Sequence, residues 1–214
     1  MFNRVIIASG PTVEPIDPVR FISNRSSGKT GFHLAQEAKK REIGKVIFIT
    51  GPSCYLPAGV QVIPVETAEQ MREVVWRYFD SADVIIMAAA VCDYKIARYH
   101  PQKIKKGKDK LVLELTKNPD ILQELGQKKS DRQFLVGFAA ETDRILEHAR
   151  QKFRRKNLDL LVLNRISPKN PAFGEVHNKV YLLTDEGFQD VKKMEKEAIA
   201  ALIWDKIFDL AGKK

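Results

Sequence analysis

Val84-Ile85-Ile86-Met87-Ala88-Ala89-Ala90-Val91-Cys92-Asp93-Tyr94 is the most hydrophobic stretch of the chain, and it ends in small and then polar residues. Successive apolar positions, without alternation, mark a strand buried on both faces, as in a parallel sheet covered by helices on each side. Working outward, similar short runs appear at Arg4 to Ser9, Lys45 to Thr50, Gln61 to Val65, Gln133 to Phe138, Leu158 to Leu163 and Val180 to Thr184, with the most hydrophobic strand at Asp83 to Ala89. Between them lie amphipathic stretches of helical length: Thr30 to Arg41, Ala68 to Phe79, Pro119 to Leu125, Thr142 to Lys156 and Lys192 to Leu210. The alternation predicts βαβ units and an α/β fold, a three-layer Rossmann-like arrangement around a mostly parallel sheet. With 214 residues the chain fits one core, and residues 1–214 are read as a single domain.

One segment interrupts the alternation. Lys103-Ile104-Lys105-Lys106 and Lys110-Leu111-Val112-Leu113-Glu114-Leu115 flank Gly107-Lys108-Asp109, which predicts an inserted Lys-rich β-hairpin. Such a projection is either a flap or dimer arm, or an edge hairpin made soluble by its lysines.

Composition narrows the function. The formal charge is +9, from 36 Lys+Arg against 27 Asp+Glu, and it gathers in two patches, at 103–110 and 150–156. Small patches suit small polyanions, whereas a nucleic-acid groove needs aromatic stacking residues interleaved with the cations. No apolar run approaches the ~20 residues of a membrane helix. The chain enters an apolar strand after Met1-Phe2-Asn3-Arg4, without a signal-peptide pattern, so the expected location is the cytoplasm. Cys54 and Cys92 have no partner at disulfide-scaffold or zinc-site spacing and read as free thiols. The four histidines, His33, His100, His148 and His177, show no ligand spacing and receive no role.

The first strand-to-helix connection carries most of the chemistry. Gly10-Pro11-Thr12 is followed by Glu14-Pro15-Ile16-Asp17-Pro18-Val19-Arg20 and then by Ser23-Asn24-Arg25-Ser26-Ser27-Gly28, which leads into a helix. A long polar loop at the carboxyl end of the first strand lies where open α/β sheets bind ligands. Ser26, Ser27 and Gly28 form a phosphate cradle at a helix N-terminus, or cap that helix, or both. Gly28-Lys29-Thr30 imitates the end of a P-loop, but Ser23 stands where the first glycine is required. The dinucleotide fingerprint G-x-G-x-x-G is also missing after the first strand, which weighs against an NAD(P)-dependent oxidoreductase, the alternative function for a sheet of this kind.

Further along, small residues Ala89 and Ala90 let a ligand approach the backbone, and Asp93 can accept from a base or hydroxyl or simply begin a turn. Asn118-Pro119-Asp120-Ile121 starts a helix, and Phe138 can stack on a base or fill the core. Lys152 and Lys156 stand four apart on one helix face, a phosphate clamp or a solvated surface.

Taken in order, Gly10 to Gly28, Ala89-Ala90-Val91-Cys92-Asp93-Tyr94, Lys103-Ile104-Lys105-Lys106, Lys117-Asn118-Pro119-Asp120 and Gly137-Phe138-Ala139-Ala140-Glu141-Thr142 closely resemble the bacterial phosphopantothenoylcysteine synthetase family of coenzyme A biosynthesis. The resemblance implies a CTP-dependent ligase that joins L-cysteine to 4′-phosphopantothenate through an acyl-cytidylate, with Mg²⁺, without flavin, and as a homodimer whose flap covers the nucleotide site. It implies either a stand-alone ligase or an excised domain, because such units often follow a flavin-dependent decarboxylase.

Residue by residue, the resemblance gives Asn24 contact with the acyl-cytidylate and Lys103 a place over the nucleotide, with its greatest effect on cysteine capture. Asp93, Pro119, Asp120, Ile121, Leu122, Phe138, Lys152 and Lys156 match nucleotide-contacting positions. Ala89 and Ala90 lie against the intermediate, with Ser26, Ser27 and Gly28 beside it. Arg20 and Arg25 are candidates for the substrate phosphate, and no metal ligands are assigned. Cys92 and Lys95 depart from the commoner Ala and Arg; Lys95 gives up the bidentate contact an Arg makes.

Overall fold

The computed structural model describes residues 2–107, 110–142, 144–166 and 177–213. The elements run β1 (Arg4–Ser9), β2 (Val13–Pro15), β3 (Phe21–Ser23), α1 (Lys29–Lys40), β4 (Lys45–Thr50), β5 (Gln61–Pro64), α2 (Ala68–Phe79), β6 (Val84–Met87), β7 (Tyr94–Ile96), β8 (Leu115–Lys117), α3 (Ile121–Lys128), β9 (Phe134–Glu141), α4 (Ile145–Arg155), β10 (Leu160–Arg165), β11 (His177–Thr184), β12 (Gly187–Glu195) and α5 (Lys196–Ala211).

Eight strands form one sheet in the order β12-β11-β10-β9-β6-β1-β4-β5. The six from β5 to β10 pair in parallel, and β11 and β12 add an antiparallel edge. Strand order reverses between β1 and β6, and that switch point opens a crevice at the strands' carboxyl ends. The three-layer expectation holds because each strand sends alternate residues to two cores. Val5, Ile7, Phe48 and Ile86 pack under α1 and α5, whereas Ile6, Ala8, Ile47 and Ile85 pack under α2, α3 and α4. Trp204 of α5 is wholly buried, and its indole N–H donates to the Leu34 carbonyl of α1 at 2.9 Å, so its one polar atom is satisfied inside the core.

Two expectations are corrected. Residues 187–195 form β12 rather than part of the last helix, which begins at Lys196. Only Val191 of β12 is buried, so an edge strand with exposed Lys192 and Lys193 carries almost no apolar period to announce it. The Lys-rich hairpin is also displaced. Antiparallel pairing joins β7 to β8, with Tyr94 opposite Lys117 and Ile96 opposite Leu115. The described residues 97–107 and 110–114 carry no strand, and the expected turn residues Lys108 and Asp109 lie outside the described residues. A second ribbon, β2 with β3, packs against β7.

Candidate active site

The crevice at the switch point is a cavity of about 640 Å³. Its floor is the carboxyl end of β6, where Ala88, Ala89 and Ala90 leave backbone exposed to the cavity. The first wall is the connection after β1. Gly28 precedes α1 with φ of 79°, a left-handed conformation that suits glycine, and no side chain caps the helix. Ser9 Oγ donates to the Gly28 carbonyl at 3.0 Å, and Ser53 Oγ donates to the Ser27 carbonyl at 2.8 Å, fixing the loop from below. A Cβ at Gly31 would collide with the Ser9 side chain, so glycine there lets α1 sit close to β1. Ser26 Oγ accepts from the Gly28 N–H at 3.3 Å and Ser27 Oγ from the Lys29 N–H at 3.4 Å, tying the loop to the first turn of α1, and Ser26, Ser27, Gly28 and Lys29 all line the cavity.

Asn24 joins this wall to the floor. Its Nδ2 donates to the Ala90 carbonyl at 3.0 Å and the Val91 carbonyl at 3.1 Å. Cys92 lies beneath, with its N–H donating to Thr12 Oγ1 at 2.9 Å. Burial raises the Cys92 thiol above its ordinary pKa, so it stays protonated at neutral pH.

The opposite wall comes from α3 and α4. Asp120 caps α3, its Oδ1 accepting from the Gln123 N–H at 3.1 Å, and the same atom accepts from Lys156 Nζ at 2.7 Å. Lys152 Nζ donates to Glu141 Oε1 at 3.1 Å. The two lysines share a helix face and both line the cavity. Asn118 donates through Nδ2 to the Cys92 carbonyl at 3.0 Å, while its buried Oδ1 has no partner among the described residues. Phe138 is half-buried, touching core on one side and cavity on the other.

Residues 2–210 match the model described as the DNA/pantothenate metabolism flavoprotein C-terminal domain. The chain belongs to that family. It is 45% identical over 188 residues to a coenzyme A biosynthesis bifunctional protein CoaBC of Bacillus subtilis, covering 86% of this chain and 46% of that protein. It is 40% identical over 211 residues to a cysteine/cysteine sulfinic acid decarboxylase of an unknown prokaryote, covering 97% of this chain and 58% of that protein. The chain thus spans about half the length of the curated relatives it matches. The crystal structure of the C-terminal domain of a CoaBC bifunctional protein superposes with a TM-score of 0.83 at 34% identity, covering 99% of this chain and 97% of that one.

Asn24, Ser26, Ser27, Gly28, Ala89, Ala90, Asp93, Pro119, Asp120, Ile121, Leu122, Phe138, Lys152 and Lys156 all line the one cavity. Lys103 does not. It is exposed on the segment beyond β7, outside its own chain's lining residues. Sequence reasoning passed over Asn164, Lys29 and Lys196, which also line the cavity. Lys196 is 4% exposed at the first position of α5. A cation at the positive end of a helix dipole was a signal, hidden because the helix start was placed at Lys192.

Proposed function

We propose that this chain is the ligase unit of coenzyme A biosynthesis, joining L-cysteine to 4′-phosphopantothenate at the expense of CTP. A carboxylate does not react with an amine at neutral pH, because oxide would have to leave. The substrate carboxylate therefore attacks the α-phosphorus of CTP, forming the acyl-cytidylate and releasing pyrophosphate. The cysteine amine then attacks the acyl carbon, the C–O bond to phosphate breaks, CMP departs, and the amine loses a proton. The observation that carries this reading is the single cavity that collects an anion cradle at α1, the Asn24 amide, the Asp93 carboxylate and the Lys152–Lys156 pair.

Each part has work in that chemistry. Phosphate binds the cradle of Ser26, Ser27 and Gly28, and the base lies near Asp93, Phe138 and Pro119 to Leu122. Lys152 and Lys156 exchange their carboxylate partners for the triphosphate. Asn24 exchanges its main-chain acceptors for the acyl-cytidylate, which it orients for attack. The acidic residues on the cavity lining, among the described residues, are Asp93 and Asp120. That donor set fits Mg²⁺ arriving on the triphosphate, with Asp93 or Asp120 as a carboxylate partner, rather than an ion held in an acidic cage. Bound there, Mg²⁺ would offset charge on the phosphates.

Lys103 completes the site only from elsewhere, which supports a homodimer. Val19, Phe21, Tyr94 and Leu115 are all exposed apolar residues on the two ribbons, and a second copy would cover them while lending a flap lysine. No helix among the described residues is long and apolar enough to cross a membrane. Cys54 and Cys92 are free thiols, in keeping with a reaction in the cytoplasm.

Ligand-induced melting tests the assignment. A ligand at 100 times its dissociation constant stabilises by ~2.7 kcal/mol. CTP with Mg²⁺ should raise the melting temperature accordingly, and NADH and single-stranded DNA should leave it unchanged. A shift with NADH alone would instead favour the oxidoreductase reading.

A further inference from the structure

Asp17 lies outside the cavity, yet its side chain has no exposed surface. Its Oδ1 accepts from the N–H groups of Val19 and Arg20, each at 2.9 Å. Its Oδ2 accepts from Arg20 Nε at 3.0 Å, from Arg20 Nη2, and from the Ile104 N–H at 3.1 Å. Arg20 Nη2 also donates to the Ile104 carbonyl at 3.0 Å. The carboxylate and the guanidinium therefore hold the two backbone polar groups of one residue, 84 and 87 positions along the chain. Just upstream, the His100 N–H donates to the Ile16 carbonyl at 3.0 Å.

Ile104 is half-buried, while Lys103, Lys105 and Lys106 around it are exposed. Residues 97–107 carry no strand, and the segment is tied to the other described residues by the Ala97 N–H bond to the Glu114 carbonyl, by the His100 N–H bond to the Ile16 carbonyl and by the contacts on Ile104. The Arg20 guanidinium holds the Asp17 carboxyl well below the usual carboxylate range, so the pair is charged at any pH at which the enzyme works.

We infer that Asp17 and Arg20 form a clasp on the Ile104 peptide, and that Asp17 is a positioning residue for Lys103. The inference rests on the ligase reading for its kinetic consequence, because Lys103 is the residue expected to serve cysteine capture. The clasp sets where the base of the flap leaves the β2–β3 ribbon, and so how far the lysine can reach.

The test compares Asp17→Asn, Lys103→Gln and the double variant in single-turnover reactions with CTP, 4′-phosphopantothenate and cysteine. Asp17→Asn is expected to keep the wild-type rate of pyrophosphate release and to slow cysteine capture about tenfold, the scale of a lost charge-assisted hydrogen bond. Added to Lys103→Gln, it should cost nothing further, since two residues acting through one group are not additive. Independently of activity, amide exchange at Ile104 and trypsin cleavage between Arg98 and Lys110 should accelerate, with the sheet amides unchanged. If Asp17→Asn does not fold, Arg20→Lys gives up the fork that reaches the Ile104 carbonyl and is read by the same exchange. Unchanged exchange at Ile104, equal slowing of both half-reactions, or additive losses would each overturn the clasp. Absence of pyrophosphate release in the wild type would count against the ligase reading, and the exchange result would still judge the clasp.

Discussion

The parallel sheet and the two ribbons at its rim are built on opposite terms. β1, β4 and β6 lie between helical layers, and nearly every side chain is buried, so one apolar substitution disturbs a packed core. β3 and β8 contribute three residues each, none of them buried, and the segment that follows β7 is held by a few polar contacts such as the one on Ile104. The lesson is a division of labour. Under the proposed function, the rigid scaffold would position the phosphate and base contacts, and the lightly held rim would supply the lysine that serves cysteine capture.

The contrast is broken most directly by stability. Trp204→Ala should cost about 3–5 kcal/mol in denaturant unfolding, the scale for truncating a buried aromatic. Val112→Ser on the rim should stay within about 0.5 kcal/mol of wild type, as exposed substitutions do. Comparable losses would mean that the rim is as much a part of the core as α5.

The next effect is on chemistry with the fold intact. Under the proposed function, Asn24→Asp would set a carboxylate beside a phosphate and remove a donor, so turnover should fall on the order of 10²-fold while the melting temperature holds. Unchanged steady-state rates would remove Asn24 from the site.

A third variant sharpens the account of the rim. Phe21→Asp places charge on the exposed apolar ribbon face and should weaken self-association by roughly 30-fold, the effect of a 2 kcal/mol hot spot. Sedimentation would show the shift to monomer, and a monomeric wild type would remove the dimer.

The same contrast governs what could be seen in the sequence. β1, β4 and α2 were delimited to the residue, because continuous apolar runs and helical spacing are the direct imprint of burial on both sides. The loops after β1 and β6 are legible as cavity walls because they fall at strand ends, where an α/β sheet gathers its loops, whereas Ile121, Leu122, Lys152 and Lys156 are gathered into the site only by the family resemblance. The expected hairpin across Lys103–Lys106 gives way to pairing of Tyr94–Ile96 with Leu115–Lys117, and the β2–β3 ribbon stands within a stretch that reads as loop. A strand open to solvent has no buried face to specify its register, so the mix of lysines and apolar residues at 103–106 and 110–117 does not say which residues pair. β12 was missed for the same reason, and with it the position of Lys196. The clasp was illegible on other grounds: nothing local in Asp17 or Arg20 points to a partner more than eighty residues away.

Acid offers the gentlest probe of the rim. The folded pKa of Asp17 lies below its ordinary value near 4, so its contribution to stability is complete above that value and is lost as pH falls through the lower folded one. Asp17→Asn lacks the contribution throughout. The stability gap between wild type and variant should therefore be constant near neutrality and narrow on acidification, and a gap that widened in acid would contradict the assignment.

Pyrophosphate release bears most directly on the whole account. Purified chain with 4′-phosphopantothenate, Mg²⁺ and CTP should release about one equivalent of pyrophosphate per site without cysteine, then turn over continuously when cysteine is added, with CMP and phosphopantothenoylcysteine as products. No release under either condition, or release that ignores the acid substrate, would contradict it.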